Sequence, residues 1–242
     1  MQKTERLDKL LSNLGYGARR DVRHWVKAGW ITVAGEPATS AAQKVRAADV
    51  LLEGETLDHP DGLTLIYHKP LGAVCSRKDG GRLIYADFPD RWLDRKPPLS
   101  SVGRLDMETS GLLIVTDDGQ LNHQLTSPKQ HIAKIYAVTL DRPLDADDVA
   151  RCASGNLMLE GDEKPCRPAE LTILDAHHAT LCLHEGRYHQ VRRMFAALGN
   201  HVTALQRIQI GALSLAETGL AAGEYRIIEP AALLEWVTQG AD

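Results

Sequence analysis

The first 60 residues carry the hydrophobic spacing of two short helices. Leucines recur at the i, i+3, i+4 and i+7 positions of one helix face within residues 5–14, and glycines follow that stretch. A second helix is predicted over residues 18–28, because Val22, Trp25 and Val26 share one face and a glycine comes directly after it. Two strands and a turn-rich linker complete this part of the chain, at residues 30–33, 50–53 and 56–62.

The rest of the chain mixes strand and helix patterns without strict alternation. Strands are predicted at residues 63–67, 112–116, 134–140, 169–174, 179–184 and 201–210, and helices at 119–126, 145–154, 190–198 and 230–238. This order favours an α+β fold with a mixed or antiparallel central sheet. We therefore expect a small N-terminal domain at residues 1–58 and a larger domain at residues 62–242.

Composition and motifs exclude several classes of protein. No apolar run approaches the length of a membrane span, and the N-terminus lacks the apolar core of a signal peptide. The four cysteines form no C-x-x-C pair, so we expect free thiols in a reducing cytoplasm. Zinc-binding spacing, a phosphate-binding loop, a dinucleotide fingerprint and a serine-hydrolase motif are all missing, so we expect no metal and no cofactor.

The net charge of −4 argues against nucleic-acid binding only until the charges are placed along the chain. Residues 1–30 carry a net charge of +4 and residues 181–210 carry +3, whereas residues 141–180 carry −5 and residues 211–242 carry −4. Binding to a phosphate backbone needs clustered Lys and Arg rather than a basic average. The candidate RNA-binding residues in the two basic segments are Arg6, Lys9, Arg19, Arg20, Arg23, Lys27, Arg187 and Arg193.

One loop carries a carboxylate that is well placed for chemistry. Asp106 lies between Gly103 and Gly111, directly before an apolar strand. A carboxylate exposed there in a cleft can serve as a nucleophile or a base. The same spacing also suits an aspartate that caps a turn and pairs with Arg104.

Two further segments carry candidate binding groups. Tyr136 lies in a predicted strand, where it is either a half-buried sheet residue or a ring that stacks on a base and acts in proton transfer. Residues 185–195 turn at Gly186 and enter a helix with arginines on its polar side. That arrangement suits either an anion site or a basic surface helix.

Taken together, these segments resemble the motifs of the RsuA-type pseudouridine synthases. The matching stretches are GRLDMETSGLLIVTDDG at 103–119, KIYAVTL at 134–140, EGRYHQVRRMFAALGNHV at 185–202, YHKP at 67–70 and LTSP at 125–128. The segment from Arg6 to Glu36 resembles an S4 RNA-binding domain. The GNHV and GEYR stretches, at 199–202 and 223–226, resemble the branch that acts on small-subunit ribosomal RNA.

The resemblance implies a role for each matched residue. Asp106 would be the catalytic carboxylate, acting at the anomeric carbon of a flipped uridine by addition or by elimination. Arg104 would lie beside the flipped nucleotide, and Tyr136 would pack on the base. Arg192 would pair with Asp106 and keep it ionised. The implied partner is 16S ribosomal RNA in an assembly intermediate, and the implied enzyme is a cytoplasmic monomer that uses no metal or cofactor and no membrane.

Three other functions stay open at this point. A large-subunit (23S) ribosomal RNA pseudouridine synthase would share most of these motifs. A catalytically silent S4-type ribosome-binding protein would keep the N-terminal domain but would not need Arg104 and Asp106. A carboxylate-dependent hydrolase of nucleosides or glycosides usually needs two partnered acids, and here only Asp106 and Glu108 lie near each other.

Overall fold

The computed structural model describes residues 4–78, 80–127 and 130–238, which divide into two compact units. The first unit comprises the described residues up to Thr64, together with Tyr85–Ser100 and Val115–Gly119. The second unit comprises the described residues of Leu65–Ile84, of Ser101–Ile114 and of the chain from Gln120 onward. The boundary expected between residues 58 and 62 stays a prediction.

The first unit joins two helices to short strands. Its elements are β1 (Glu5–Arg6), α1 (Leu7–Asn13), α2 (Arg19–Lys27), β2 (Ile31–Val33), β3 (Glu36–Pro37), β4 (Lys44–Val45), a 3₁₀ turn (Ala47–Asp49), β5 (Val50–Leu52), β6 (Glu55–Thr56) and α3 (Asp90–Leu93). Helix α1 begins two residues later than predicted, because Glu5 and Arg6 pair with β4 instead. Strands β3, β2, β5 and β6 form a four-stranded sheet in that order.

The predicted helix faces build the core of the first unit. Leu7 and Leu11 of α1, Val22 of α2 and Ile31 of β2 are fully buried together. Burial of each such side chain contributes about 1.5–3 kcal/mol. The apolar face of α1 that the leucine spacing predicts therefore packs the helices against the sheet.

The turn-rich segment predicted as a linker is packed within the first unit. Leu57 belongs to its core, and the Asp58 carboxylate accepts hydrogen bonds from Arg91 Nη2 at 2.5 Å and Trp92 Nε1 at 2.7 Å. Burial acts to raise the pKa of Asp58, but these hydrogen bonds outweigh it and the pKa lies below its ordinary value. Residues 85–100 therefore supply the hydrogen-bond donors for Asp58, which do not come from the first 60 residues.

The second unit is built on a mixed sheet of nine strands. Its elements are β7 (Thr64–Lys69), β8 (Ala73–Val74), β9 (Arg82–Leu83), β10 (Ser100–Val102), β11 (Ser110–Thr116), α4 (Gly119–Thr126), β12 (Lys134–Leu140), α5 (Ala146–Ala153), β13 (Glu170–Ile173), β14 (His178–Leu183), α6 (Gln190–Ala197), β15 (Val202–Ile210), β16 (Leu213–Ser214), α7 (Leu215–Thr218), β17 (Tyr225–Ile227) and α8 (Pro230–Thr238). A 3₁₀ turn (Ile84–Asp87) starts at the last residue of the segment Leu65–Ile84 and continues into residues of the first unit. The strand order is β13-β14-β12-β15-β11-β7-β17, with β10 beside β11 and β16 beside β15.

The centre of this sheet sets the position of the loops that follow. Strands β11 and β15 pair in parallel, whereas β12 pairs antiparallel with both β14 and β15. Gly111 lies opposite Arg207 with φ near +114°, and a side chain there would collide with the Arg207 backbone. The glycine noted beside the Asp106 loop is therefore required by close strand contact.

The α+β class and the mixed sheet are confirmed, and all ten predicted elements of this unit are present. The helices at 119–126 and 230–238 and the strand at 134–140 have the predicted bounds. The short elements β8, β9, β10, β16, β17 and α7 of this unit were not predicted, and neither were β1, β3, β4, β6 and α3 of the first unit. Each spans two to four residues and is too short to show a period. Within the described residues, no helix combines the length and apolar character needed to cross a bilayer.

Candidate active site

A cavity of about 730 Å³ opens in the second unit. The loop after β10, the strands β12 and β15, and the segment from β14 into α6 line it. The three segments that carry candidate catalytic or binding residues in the sequence meet there. They contribute Arg104, Asp106, Tyr136, Arg187 and Arg192. Tertiary folding thus brings together groups that lie up to 88 residues apart in the chain.

Asp106 presents its carboxylate to this cavity. It lies in the loop between β10 and β11, and its side chain is 35% exposed. The nearest basic group is His189, whose Nε2 lies 3.5 Å from Asp106 Oδ1. The carboxylate is therefore open to a ligand and has a neighbour that bears charge only when protonated.

A buried lysine holds the loop that carries Asp106. Lys69 has no exposed surface, and its Nζ donates to the carbonyls of Thr109 at 2.8 Å and Pro70 at 3.0 Å. Burial lowers the pKa of Lys69, and the nearby carboxylate of Asp106 acts in the opposite direction. Because a buried cation is costly unless it is fully hydrogen-bonded, Lys69 fixes the carbonyls that it contacts.

Backbone and thiol contacts fix the same loop at other points. The amide of Gly72 donates to Met107 O at 2.9 Å, and the amide of Thr109 donates to Asp106 O at 3.0 Å. Cys75 Sγ lies 3.5 Å from the Leu105 amide and 3.4 Å from its carbonyl oxygen. The carboxylate of Asp106 therefore projects from a loop whose backbone is held on both sides.

The predicted ion pair between Arg192 and Asp106 is wrong for this structure. Arg192 donates to Glu108 O at 3.0 Å and to Val202 O at 2.9 Å, and its Nη2 lies 3.9 Å from the Glu108 carboxylate. Helix α6 begins at Gln190, and His189 precedes it in a left-handed backbone conformation with φ near +48°. This turn brings His189 to the carboxylate and directs Arg192 to the loop backbone instead.

Tyr136 shares the cavity face of the sheet with two cations that we did not single out from the sequence. Arg207 lies directly opposite Tyr136 on β15, and Lys134 lies two residues earlier on the same face of β12. Arg207 is 3% exposed and donates through Nε to Leu112 O at 2.8 Å. Burial, helped by the charge of Arg207, lowers the pKa of Lys134 to about 8.

Unpartnered polar atoms concentrate at this cavity. Among the residues that the structure describes, the buried side-chain atoms without a hydrogen-bond partner are Thr109 Oγ1, Arg192 Nε and Arg207 Nη2. All three residues line the cavity. Buried polar groups are normally satisfied, and clusters of exceptions are typical of functional sites.

Four residues of this site were missed by sequence reasoning, although each had a signal. Lys69 and His189 lie within motifs already noted, YHKP and EGRYHQVRRM, and Lys134 begins KIYAVTL. Arg207 is a charged residue at an inward position of an apolar strand, which is itself unusual. The LTSP motif is described only as far as Ser127, because its last residue, Pro128, lies outside the described residues.

The two arginines predicted to bind RNA beside the cavity are occupied by protein contacts. Arg187 donates to the Asp162 carboxylate at 2.9 Å and to the carbonyls of Lys164 and Pro165. Arg193 donates to the same carboxylate at 2.5 Å. Hydrogen bonds from Arg193 and Arg187 hold the pKa of Asp162 below its ordinary value. Their binding to RNA stays a prediction from the sequence alone, and these protein contacts favour a structural role instead.

The basic residues of the first unit are mostly exposed. The side chains of Arg19, Arg20, Arg23 and Lys27 are exposed along α2. Arg6 is hydrogen-bonded to the buried Asp8 carboxylate at 2.8 Å, and Lys9 lies 3.9 Å from Glu5. Helix α2 therefore presents a basic face, whereas β1 and α1 use part of their charge within the unit.

Within the described ranges, no group of three His, Cys, Asp or Glu residues is placed to hold a metal ion. What the cavity offers is the Asp106 carboxylate, two tyrosine rings and several cations. That set suits a reaction on an anionic, aromatic substrate, which is the chemistry of an enzyme that modifies RNA.

Comparisons with known proteins agree with this class. The model of the RNA pseudouridylate synthase family matches residues 63–197, and that of the S4 domain matches residues 5–51. The chain therefore belongs to the RNA pseudouridylate synthase family and carries an N-terminal S4 domain.

Individual relatives match over almost the whole chain. Ribosomal small subunit pseudouridine synthase A of Pasteurella multocida is 44% identical over 91% of this chain and 94% of that protein. The protein of the same name from Escherichia coli K12 is 39% identical over 91% of this chain and 95% of that protein. A crystal structure of a pseudouridylate synthase, 38% identical, superposes with a TM-score of 0.66 over 96% of this chain and 99% of that one.

Proposed function

We propose that the chain isomerises one uridine of small-subunit (16S) ribosomal RNA to pseudouridine, with Asp106 as the catalytic carboxylate. The observation that carries this proposal is the partly exposed carboxylate of Asp106 in a cavity with Arg104 and Tyr136, in a member of the RNA pseudouridylate synthase family. The names of the relatives from P. multocida and E. coli support the choice of the small subunit.

The reaction exchanges one bond for another. The bond between N1 of uracil and C1′ of ribose breaks, and a bond between C5 and C1′ forms. The proton on C5 leaves and N1 takes up a proton, so the product is an isomer. The target uridine must first leave its stack, at a cost of a few kcal/mol.

Three residues of the cavity act on the nucleotide itself. Asp106 acts at C1′, by addition to that carbon or by promoting elimination there. Tyr136 packs on the uracil ring, and Arg104 lies beside the nucleotide that carries it. Lys69 and Arg192 position the Asp106 loop through its carbonyls, so they act on the reaction only through the placement of the carboxylate.

The exposed basic face of α2 anchors the RNA. Phosphate contacts from Arg19, Arg20, Arg23 and Lys27 add affinity without reading the base sequence. We expect the chain to act as a monomer on a partly assembled small subunit. Because ribosomal subunits are assembled in the bacterial cytoplasm, we expect the reaction to take place there.

An Asp106→Asn variant tests this function, because it removes the carboxylate at nearly constant volume. Asp141→Asn is the matched control, since Asp141 is exposed in the same unit and does not line the cavity. Pseudouridine is mapped in 16S and 23S ribosomal RNA from cells that lack the protein, supplied as free RNA, as partly assembled subunits and as complete subunits.

We expect the wild type and Asp141→Asn to modify one 16S site, best in the partly assembled subunit, and Asp106→Asn to modify none. Modification confined to 23S RNA would move the function to the large subunit. Near-normal activity of Asp106→Asn would refute the assigned carboxylate. A wild-type chain that binds RNA and modifies none would indicate a silent binding protein.

A further inference from the structure

An exposed tyrosine stands at the opening of the cavity. Tyr188 is 70% exposed, although aromatic rings normally bury most of their surface. It lines the same cavity as Asp106 and Arg104 and directly follows the turn from β14 toward α6. Neither the proposed catalytic step nor the anchoring by α2 uses this ring.

The ring is held in place by its neighbours. Tyr188 stacks on His189 with ring centroids 3.8 Å apart and an interplanar angle of 17°. His189 adopts a left-handed backbone, which is costly for a residue other than glycine, and its Nε2 lies 3.5 Å from Asp106 Oδ1. The Tyr188 carbonyl accepts a hydrogen bond from Arg193 at 3.2 Å. The aromatic pair is therefore fixed beside the carboxylate, while most of the Tyr188 ring faces solvent.

We propose that the Tyr188–His189 pair is a stacking subsite for the unpaired nucleobase next to the target uridine. This inference rests on the proposed function, since it requires an RNA whose uridine enters the cavity. When that uridine leaves its stack, the neighbouring base loses a stacking partner. The open face of Tyr188, next to the reacting carboxylate, replaces the lost partner.

The chemistry of the ligand follows from the pair. Every nucleobase has a π face, so an aromatic platform binds the flanking base with little preference for its identity. Arg104 is exposed in the same cavity, and a phosphate on either side of the target nucleotide would complement its charge. The pair therefore accommodates a flanking base, and Arg104 complements the backbone that joins it to the uridine.

The test compares protein variants on matched RNAs. The probe is a 16S ribosomal RNA fragment that the wild type binds, prepared unmodified or with one abasic nucleotide directly 5′ of the target uridine, directly 3′ of it, or several nucleotides away. The variants are Tyr188→Ala, Tyr188→Phe, which keeps the ring, and Trp236→Ala. Trp236 is an exposed aromatic residue that does not line the cavity, so it is the matched control. The Kd is measured for every combination.

We expect Tyr188→Ala to weaken binding of the unmodified fragment by roughly 5- to 150-fold. Tyr188→Phe and Trp236→Ala should leave the Kd unchanged. On one of the two flanking abasic RNAs the wild type should lose the same factor, and Tyr188→Ala should then lose nothing more. On the RNA with the distant abasic site, the full effect of Tyr188→Ala should persist.

A Tyr188→Ala loss of equal size on all RNAs, or no loss on any, would overturn the subsite. A loss seen only with assembled subunits, and not with the naked fragment, would mean that Tyr188 contacts a ribosomal protein, which also overturns it. The proposed function is tested independently of the stacking subsite. A chain that binds the fragment but does not isomerise it refutes that function, while the stacking comparison still stands because it measures affinity alone.

Discussion

The two basic segments, residues 1–30 and 181–210, have similar net charge and different surroundings. In the first, the arginines of α2 are exposed, and Arg20 is 86% exposed in its side chain. In the second, Arg187, Arg192, Arg193 and Arg207 each donate hydrogen bonds to carbonyls or carboxylates of the protein. Only the first segment presents its charge chiefly to solvent.

The difference shows that charge clustered in sequence has two distinct uses. An exposed guanidinium can exchange its counterions for RNA phosphates. A guanidinium that bridges carbonyls has already formed its hydrogen bonds, and its loss leaves those acceptors unpaired. We therefore expect substitutions in the first segment to change RNA binding, and substitutions in the second to change catalysis or stability.

Among the arginines of these two segments, the largest effect is expected from Arg192→Met. It removes the donors to Glu108 O and Val202 O, so the Asp106 loop shifts. A displacement of about 1 Å costs on the order of 100-fold in rate. Single-turnover kinetics should show this loss in the rate constant, with a smaller change in KM. A variant with a raised KM and a normal rate constant would instead place Arg192 among the RNA contacts.

The double variant Arg20→Gln, Arg23→Gln should weaken RNA binding without affecting the fold. Each lost phosphate contact reduces the slope of log K against log salt by about 0.7–0.9. Titrations of 16S fragments at several salt concentrations measure that slope. A deletion of residues 1–60 would be a poorer test, because Leu57 and Asp58 pack within the first unit and their loss would disturb its fold. An unchanged slope would contradict RNA anchoring by α2.

Arg187→Met should lower the stability of the protein and leave RNA binding unchanged. It breaks the contacts to Asp162, Lys164 O and Pro165 O, so the segment that they hold loosens. We expect the Tm to fall by roughly 2–4 °C and the salt slope to stay the same. Differential scanning calorimetry and the same titrations provide both values. If the slope falls and the Tm does not, Arg187 belongs with the exposed arginines.

The last effect, confined to one pH range, concerns Lys134, whose pKa is lowered by burial and by the charge of Arg207 to about 8. Because the folded state binds this proton less readily than the unfolded state, the group is destabilising below pH 8, and the cost disappears as pH rises through the ordinary pKa near 10.5. Wild type should therefore gain Tm relative to Lys134→Met between these pH values. A constant difference across that range would contradict the lowered pKa.

Much of the local structure was predictable because its cause is local. The leucine stripe of α1, the alternation in β12 and the glycine after α6 each specify an element through neighbours a few residues away. The residues of the cavity also follow from motif resemblance, since Arg104, Asp106, Tyr136 and Arg192 all line it. Short strands such as β8 and β10 escape prediction because they form only when a neighbouring strand is present.

By itself, the sequence determined the α+β class, the long helices and strands, the family and the residues that face the cavity. Only the tertiary structure decided which atoms those residues contact. It placed His189 rather than Arg192 at the Asp106 carboxylate and buried Lys69 beneath the loop that carries Asp106. It also paired Arg187 with the Asp162 carboxylate. The physical reason is distance: periodicity acts over one or two turns of chain, whereas a hydrogen bond depends on positions within about 3 Å of segments far apart in sequence.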